Sequence, residues 1–415
     1  MDEQQRDEQT RKKHPMAKGI VCGIVGTLVV GWLAIYTACS LTGTQVVVRS
    51  RGRSSEILLD ADAVTKMQQL DAYIEEYYYD DVDIDSLQDG MYSGLVAGLK
   101  DRYSVYYNED DYAQMKVDTT GQYYGIGAGL HQDEESMEVT VTKVYEGSPA
   151  ESAGLLLDDV ILSVDGTKGT SMEVTKLVKL IRGEEGTTVH LEVFRPSTGE
   201  QFACDVERKN ITLPSVSHRM MEEKIGYIGI ESFERETAAQ FEEALADLKG
   251  QGMRSLIVDL RYNGGGLVDS VVQILDDILP EGLLVYVEDK AGNRQNYTSS
   301  NKSELGMPLA VLINQESASA SEIFAGAVKD YGYGTLIGTK TFGKGIVQTI
   351  FTLGDGDAVK LTTAKYFTPK GNYIHGVGIE PDIELEYEYL NPDGEVYEAQ
   401  YDNQLQKAIS VLKGE

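Results

Sequence analysis

Residues 317–323 read Ser-Ala-Ser-Ala-Ser-Glu-Ile, between the apolar run Leu309–Ile313 and a helical pattern that extends to Asp330. Small residues at a strand-to-helix junction let the backbone turn sharply. They also set a hydroxyl beside a helix N-terminus, where free N–H groups and the helix dipole favour developing negative charge. Such a serine is well placed to be a nucleophile. The same passage suits a helix N-cap, for which Ser321 is the obvious residue, and the run alone does not separate the two readings.

A nucleophilic serine needs a base. The chain has five histidines, His14, His131, His190, His218 and His375, and none sits in a recognisable triad motif. The alternative is a lysine whose pKa of ~10.4 is brought toward ~7 to 8 by burial. Residues 341–348, Thr-Phe-Gly-Lys-Gly-Ile-Val-Gln, offer Lys344. In a strand, Lys344, Ile346 and Gln348 share one face at period two, so the amide could orient the amine. A lysine between glycines is also an ordinary turn residue, and the serine run is what tilts the reading toward chemistry. Two other clusters point away from it. Gly125, Gly127 and Gly129 have the wrong third spacing for a dinucleotide loop and no helical pattern follows. The acidic, tyrosine-rich stretch 75–85 shows no ordered ligand pattern and reads as a solvated turn, so no metal or cofactor is expected.

The elements that must carry these residues fall into distinct stretches. From Lys18 to Arg49 no charged residue occurs, and residues 19–41 are strongly apolar. As a helix, that stretch reaches ~33 Å, enough for a hydrocarbon core of ~30 Å. Arg6, Arg11, Lys12, Lys13 and Lys18 precede it, which puts 1–18 in the cytoplasm and the remainder outside. A cleaved signal peptide and a lipoprotein signal ending at Cys39 are the competing readings. Residues 56–100 are helical in pattern. About 120–196 has short strand-like runs, one helical stretch at 172–181 and a turn at Asp165 and Gly166. After Arg208, strand-like runs at 225–230, 256–260, 309–313 and 335–337 alternate with helical ones at 237–248, 268–279 and 321–330. That alternation implies crossover connections and a largely parallel sheet covered on both faces. Residues 345–390 are more purely strand-like.

Composition bounds the partners. With 37 Lys and Arg against 67 Asp and Glu in 415 residues, the net charge is −30, which argues against nucleic acid as a partner because binding it needs a basic footprint. Hydrophobic content of 41% and charged content of 25% are ordinary globular values and exclude wholesale disorder. Cys22, Cys39 and Cys204 are too few for a disulfide scaffold. Residues 1–18 are nearly charge-balanced, so the acidity belongs to the rest of the chain.

Two resemblances cover most of the chain. Tyr124 to Leu130, then Glu146-Gly-Ser-Pro-Ala150, Ala153-Gly-Leu155, Asp158-Asp-Val-Ile161, Val164-Asp-Gly166 and Ile181-Arg-Gly183 together resemble a PDZ domain. Such domains add a peptide C-terminus to a sheet edge and hold its carboxylate on backbone N–H groups. The resemblance implies Gly125, Ile126 and Gly127 as that loop. The second set is Gly226-Tyr-Ile228 with Phe233, Asp259-Leu-Arg-Tyr-Asn-Gly-Gly-Gly266, the Ser317 to Glu322 run, Gly338, Phe342-Gly-Lys-Gly345 with Gln348, Tyr366-Phe-Thr-Pro369, and Gly378-Ile379 with Pro381-Asp382. With Tyr77, Tyr78, Asp101, Tyr103, Ser104, Tyr106 and Tyr107, it resembles the carboxyl-terminal processing peptidases, or tail-specific proteases, of family S41. This match runs from about residue 60 to the end.

The second resemblance implies Ser319 as nucleophile, Lys344 as general base, Gln348 orienting Lys344, and an oxyanion hole from the N–H groups of Gly265 and Ala320. Gly264 and Arg102 stand where the family often has proline. The implied fold class is an α/β protease core, a mixed sheet with crossover helices plus a β-rich C-terminal part, with an inserted mainly-β PDZ domain and one N-terminal transmembrane helix. Its parts are 1–18 cytoplasmic, 19–41 transmembrane, 56–112 helical, 115–198 PDZ and 205–415 peptidase. The function implied is a single-pass, membrane-anchored, extracytoplasmic serine endopeptidase that cleaves protein substrates near their free C-terminal tails without a cofactor. The PDZ domain would bind the tail and gate activity. A homodimer is the family expectation, to which the helix-like stretch 404–412 adds. A non-cleaving PDZ scaffold and a Ser–His hydrolase using His375 are the alternatives.

Overall fold

The computed structural model describes residues 59–120, 122–300, 304–389 and 397–415. The segment 1–18, the span 19–41 and the alternatives for it lie outside these residues. Among the described residues no helix is long and apolar enough to cross a membrane. The chain divides into two compact units after Val82.

In the first unit, α1 (Ala61–Tyr77) starts at Asp60, whose carboxylate accepts the Ala63 N–H at 2.8 Å, an N-cap that satisfies an otherwise orphan donor. The helix reaches further into the tyrosine-rich stretch than its acidic composition suggests. Tyr73 and Tyr77, one turn apart, lie 6.2 Å centre to centre and extend it. In the second unit, α2 (Ile84–Ala97) is capped by Asp83 through the N–H groups of Asp85 and Ser86. Neither helix buries a residue, and Leu70 on α1 and Leu95 on α2 are more than half exposed. Next come β1 (Val105–Tyr107), α3 (Glu109–Thr120) and β2 (Gln122–Gly125).

The PDZ-like module contains β3 (Ala128–Gln132), β4 (Val139–Val144), the one-turn α4 (Pro149–Ser152), β5 (Val160–Val164), β6 (Thr167–Lys168), α5 (Val174–Ile181), β7 (Thr188–Arg195) and β8 (Glu200–Glu207). Its sheet runs β3-β4-β5-β7-β8, so β3 is an edge. Alternate residues Val189, Leu191 and Val193 of β7 point inward with Val139, Val141 and Leu177, as period-two burial requires. The sheet continues to Glu207, past the boundary at 198 expected from sequence. The polar stretch Pro196 to Gly199 is a hairpin turn, with Gly199 at φ 72°, rather than the end of the module. The ingoing strand β2 and the outgoing β9 (Lys209–Thr212) pair antiparallel, Gln122 opposite Thr212 and Gly125 opposite Lys209. The buried Arg208 between β8 and β9 donates to the carbonyls of Leu180, Ile181 and Thr188 at 2.8–2.9 Å. A cation thus satisfies the orphan acceptors at the C-terminal end of α5.

Then follow β10 (Val216–Met220), β11 (Ile225–Ile230), α6 (Thr237–Gly250), β12 (Ser255–Asp259), α7 (Val268–Ile278), β13 (Gly282–Asp289), β14 (Arg294–Ser299), β15 (Leu309–Ile313), α8 (Ala320–Tyr331), β16 (Thr335–Gly338), β17 (Ile346–Thr352), β18 (Ala358–Phe367), β19 (Ile383–Glu384) and α9 (Asn403–Lys413). One sheet runs β10-β11-β12-β15-β16-β19, parallel except for β10. Ile228, Val258, Val311 and Ile313 face α6, α7 and α8; Ile225, Ile257, Leu312 and Ile337 face Leu405 and Ala408 of α9. The strands are apolar throughout because both faces are covered, as the sequence predicts. The second sheet joins β1, β17 and β14 around β18 and β13, with Val105 opposite Lys360.

A buried ion triad ties α9 to the parallel sheet. Arg261 donates to Asp259 at 2.6 Å and to Asp402, the α9 N-cap, at 2.8 Å. Burial works to raise the Asp402 pKa, but Arg261, the Leu405 N–H and Tyr397 hold it below the usual carboxylate range. Removing one partner of a buried ion network leaves an uncompensated charge, which costs ~3 to 5 kcal/mol. Asp402→Ala is therefore expected to lower the unfolding free energy by roughly 3 kcal/mol in denaturant titration. Because the folded pKa is depressed, this contribution is present above the unfolded value of ~3.9 and is lost as pH falls through the folded one.

Candidate active site

Central strand β15 is buried at every residue and delivers the chain to a tight turn built on the Asp259 to Gly266 segment. Ser317 Oγ donates to the Leu260 carbonyl at 2.7 Å, and Ser321 Oγ to the Asn263 carbonyl at 2.8 Å. The Asn263 carbonyl also accepts the Ala318 N–H at 3.0 Å. Two of the three serines are therefore structural. Ser319, not Ser321, is the N-cap residue of α8, held at φ 54° and ψ −112°, a backbone region that non-glycine residues enter only when their surroundings impose it.

Glu322 supplies much of that imposition. Fully buried, its carboxylate accepts the Ser319 N–H at 2.9 Å, Thr341 Oγ1 at 2.6 Å, and the N–H groups of Gly343 and Lys344 at 2.7 Å each. Tyr366 from β18 reaches the same two residues from the other side. Its hydroxyl sits 2.9 Å from the Ser319 carbonyl and 2.6 Å from that of Lys344. Burial, reinforced by Glu322, pushes the Tyr366 pKa well above the usual phenol value, so it stays a donor. Nucleophile candidate and base candidate are thus clamped backbone to backbone by two side chains. The sequence reading missed both roles. Glu322 follows the serines at helical spacing, a signal for a capping box, but nothing in the sequence shows that it also accepts from residues 341–344.

Lys344 is half-buried, and its Nζ lies 4.9 Å from the centre of the Tyr103 ring. Burial lowers its pKa below the usual lysine value, Lys360 and Arg102 add to that, and Glu322 opposes. Among the described residues no hydrogen bond joins Lys344 Nζ to Ser319 or to Gln348. The β17 ladder starts at Ile346 and shifts register between Val347 and Gln348, which interrupts the period-two face that would bring Gln348 beside Lys344. Gln348 Nε2 is buried without a partner, as are Thr362 Oγ1 opposite it and Nδ1 of His375. His375 packs its backbone on Gly345 and its ring 6.4 Å from Tyr103.

Gly265 lies against the serine. A Cβ there would stand 2.7 Å from Ser319 Cβ and 2.9 Å from Ala320 N, at φ 104°, so only glycine fits. Its N–H, however, donates to Asn263 Oδ1 at 2.8 Å. The Ala320 N–H is a first-turn donor of α8 with no acceptor among the described residues. In the PDZ-like module, Gly125 ends β2, and Ile126 and Gly127 lead into β3. Their carbonyls accept from Ala150 at 2.8 Å and Tyr145 at 3.1 Å, while their N–H groups have no acceptor among the described residues. Residues 125–127 and the Ser319 turn are separate sites. No group of three or more metal-ligating side chains occurs among the described residues.

Comparison with known proteins agrees with this architecture. The Peptidase family S41 model matches residues 224–385, a PDZ domain model residues 140–195, and the Activating protease CtpB N-terminal domain model residues 28–111. A Probable CtpA-like serine protease of Staphylococcus aureus (strain COL) is 34% identical over 360 residues, covering 85% of this chain and 72% of that protein. One from Staphylococcus epidermidis is 33% identical over 356 residues, with 84% and 71% covered. The solved photosystem II D1 C-terminal processing protease is 30% identical, covers 77% of this chain and 86% of its own, and superposes with a TM-score of 0.46. A serine-centred strand-to-helix turn on a mixed sheet with an inserted PDZ domain defines a serine-type peptidase. The chain belongs to peptidase family S41.

Glu322→Gln keeps the side-chain shape but turns a donor toward four donors, and a buried hydrogen-bond mismatch costs ~1 to 3 kcal/mol. Tyr366→Phe removes one bridge and leaves packing intact. Both are expected to lower kcat by about tenfold or more, with KM within about twofold for Tyr366→Phe, because the alignment of nucleophile and base is lost. Steady-state kinetics with thermal melting as a control checks this.

Proposed function

We propose that the chain is a membrane-anchored, extracytoplasmic endopeptidase that cleaves protein substrates near their C-termini with Ser319 as nucleophile and Lys344 as base. The observation that carries the reading is the double clamp of Glu322 and Tyr366, which fixes the backbones of these two residues to one another. Lys344, whose pKa burial lowers, takes the Ser319 proton in its neutral form as Oγ attacks the scissile carbonyl. The oxyanion develops at the N-terminus of α8, where the Ala320 N–H awaits an acceptor; Gly265 joins when its N–H turns from Asn263. Water then hydrolyses the acyl-enzyme, and no cofactor takes part. Gln348 orients Lys344 in the working state.

Cleavage near C-termini follows the relatives' names, and the PDZ-like module supports it. The unpaired N–H groups of Ile126 and Gly127 beside edge strand β3 suit a tail carboxylate and an added strand. Gating through that module rests on its contacts with α3, where Lys179 pairs with Asp110 at 2.6 Å and Arg182 with Gln114 at 2.9 Å, and on the lack of a hydrogen bond between Lys344 Nζ and Ser319 among the described residues. The apolar run 19–41 is the anchor, and the exposed apolar side chains of α1 and α2 support a homodimer.

Cleavage of a fluorescent peptide with a free C-terminus is expected to fall by at least about 10³-fold in Ser319→Ala and Lys344→Ala, and to remain in His375→Ala. Loss in His375→Ala with turnover retained in Lys344→Ala would establish the Ser–His alternative. Amidating the peptide's C-terminus is expected to slow cleavage several-fold by removing the carboxylate. In cell fractionation, the full chain is expected with membranes and a chain starting at residue 42 without them.

A further inference from the structure

The cations around Lys344 are held in an unusual way for so acidic a chain. The Arg102 guanidinium carbon lies 4.7 Å from the centre of the Tyr103 ring and 5.2 Å from that of Phe342, with Nη2 donating to the Tyr103 hydroxyl at 2.5 Å. Lys344 Nζ shares the Tyr103 ring at 4.9 Å. Lys360 donates to the Tyr107 hydroxyl at 2.7 Å. Among the described residues none of the three has a carboxylate within 4.0 Å. With 67 acidic residues available, three neighbouring cations each lie on a tyrosine instead.

We propose that Arg102, stacked on the ring that also carries Lys344, is a positioning residue that keeps the Lys344 amine neutral and available as the base, with Lys360 as its counterpart on β18. The inference rests on Lys344 being the base. A like charge nearby disfavours the charged form of an amine, and a lysine beside another cation is a known route to a working base; Arg102 is itself exposed, so its influence weakens as salt rises. Titratable groups from several elements enter the balance, Lys365, opposite Ile346 and over the Tyr373 ring, among them. The loop before β1 gives Asp101, Arg102 and Tyr103; β18 gives Lys360 and Tyr366; α8 gives Glu322; the segment after β18 gives Tyr373 and His375. Of the acids, Glu322 has its oxygens filled by four donors, and Asp101 is held by Ser104 Oγ at 2.7 Å and the Tyr103 N–H at 3.0 Å. The cations Arg102 and Lys360 are left without an ion-pair partner, and at Lys344 they act against Glu322, which keeps its negative charge while it accepts four hydrogen bonds. Tyr103 adds the opposite tendency, since a ring face favours a cation. It therefore grips the protonated amine, and the second cation on the same ring weakens that grip.

The test is the pH dependence of kcat/KM for the full chain on fluorescein-labelled casein. Turnover rises along an acid limb as Lys344 loses its proton. With Arg102→Gln the limb moves to higher pH, giving roughly a threefold or greater loss at a pH on the limb and a change within about twofold on the alkaline plateau. Arg102→Lys restores a cation and is expected to leave the limb near its original place. Lys360→Met moves it in the same direction as Arg102→Gln. A purely structural role for Arg102 would lower the whole profile without moving the limb. An unmoved limb in Arg102→Gln, with Lys344→Ala inactive, overturns this inference and leaves the serine–lysine reading standing. Turnover retained in Lys344→Ala overturns that reading, and this inference with it.

Discussion

The Glu322 carboxylate is the point on which the rest of the structure converges. Its two oxygens accept from Ser319 on one side and from Thr341, Gly343 and Lys344 on the other. Four donors from two segments therefore meet in a site closed to water. A buried carboxylate is unfavourable unless its hydrogen bonds are complete, so the 319–322 and 341–344 segments are constrained to arrive together. The left-handed backbone of Ser319 follows from the same constraint, since its N–H must point back at Glu322 while its hydroxyl leaves the turn.

The PDZ-like module and the peptidase core are organised on different principles around that point. The module closes on its own apolar core, with Arg208 capping the end of α5 and the β2–β9 pair bringing its two ends together. The core builds its site at the carboxyl ends of parallel strands, where β12 and β15 release the chain into the 259–266 and 314–319 turns. Asn263 joins those turns, with its side chain on the Ile230 carbonyl and the Gly265 N–H.

Much of this was legible in the sequence because it depends on local pattern. The apolar runs of β11, β12, β15 and β16 and the helices between them follow from periodicity. The Ser317 to Glu322 passage and Lys344 stand out through residue type and neighbours. What was not legible depends on distant residues meeting. Glu322 looks like a helix-cap acid until residues 341–344 are placed beside it, and Tyr366 looks like a strand aromatic until its hydroxyl is found between two carbonyls. At Gln348 the local pattern and the sheet differ. Period two puts it beside Lys344, but a register shift that no local signal announces interrupts the face. The N-cap assignment moved from Ser321 to Ser319 for a similar reason, because the Ser321 hydroxyl is claimed by Asn263, far away in the chain.

The placement of Tyr366 has a consequence for the order in which the protein can become competent. Ser319 and Lys344 both precede Tyr366 in the chain, while β18, which carries it, must also pair with β1, residues 105–107, from before the PDZ-like module. The parallel sheet is tied to a segment further on still, through Asp402 and Arg261. Such long-range closures form slowly compared with local ones. Until β18 is in place, Ser319 and Lys344 therefore lack the hydroxyl that bridges their carbonyls. The alignment of serine and lysine is thus a property of the closed topology and not of the two segments that carry them.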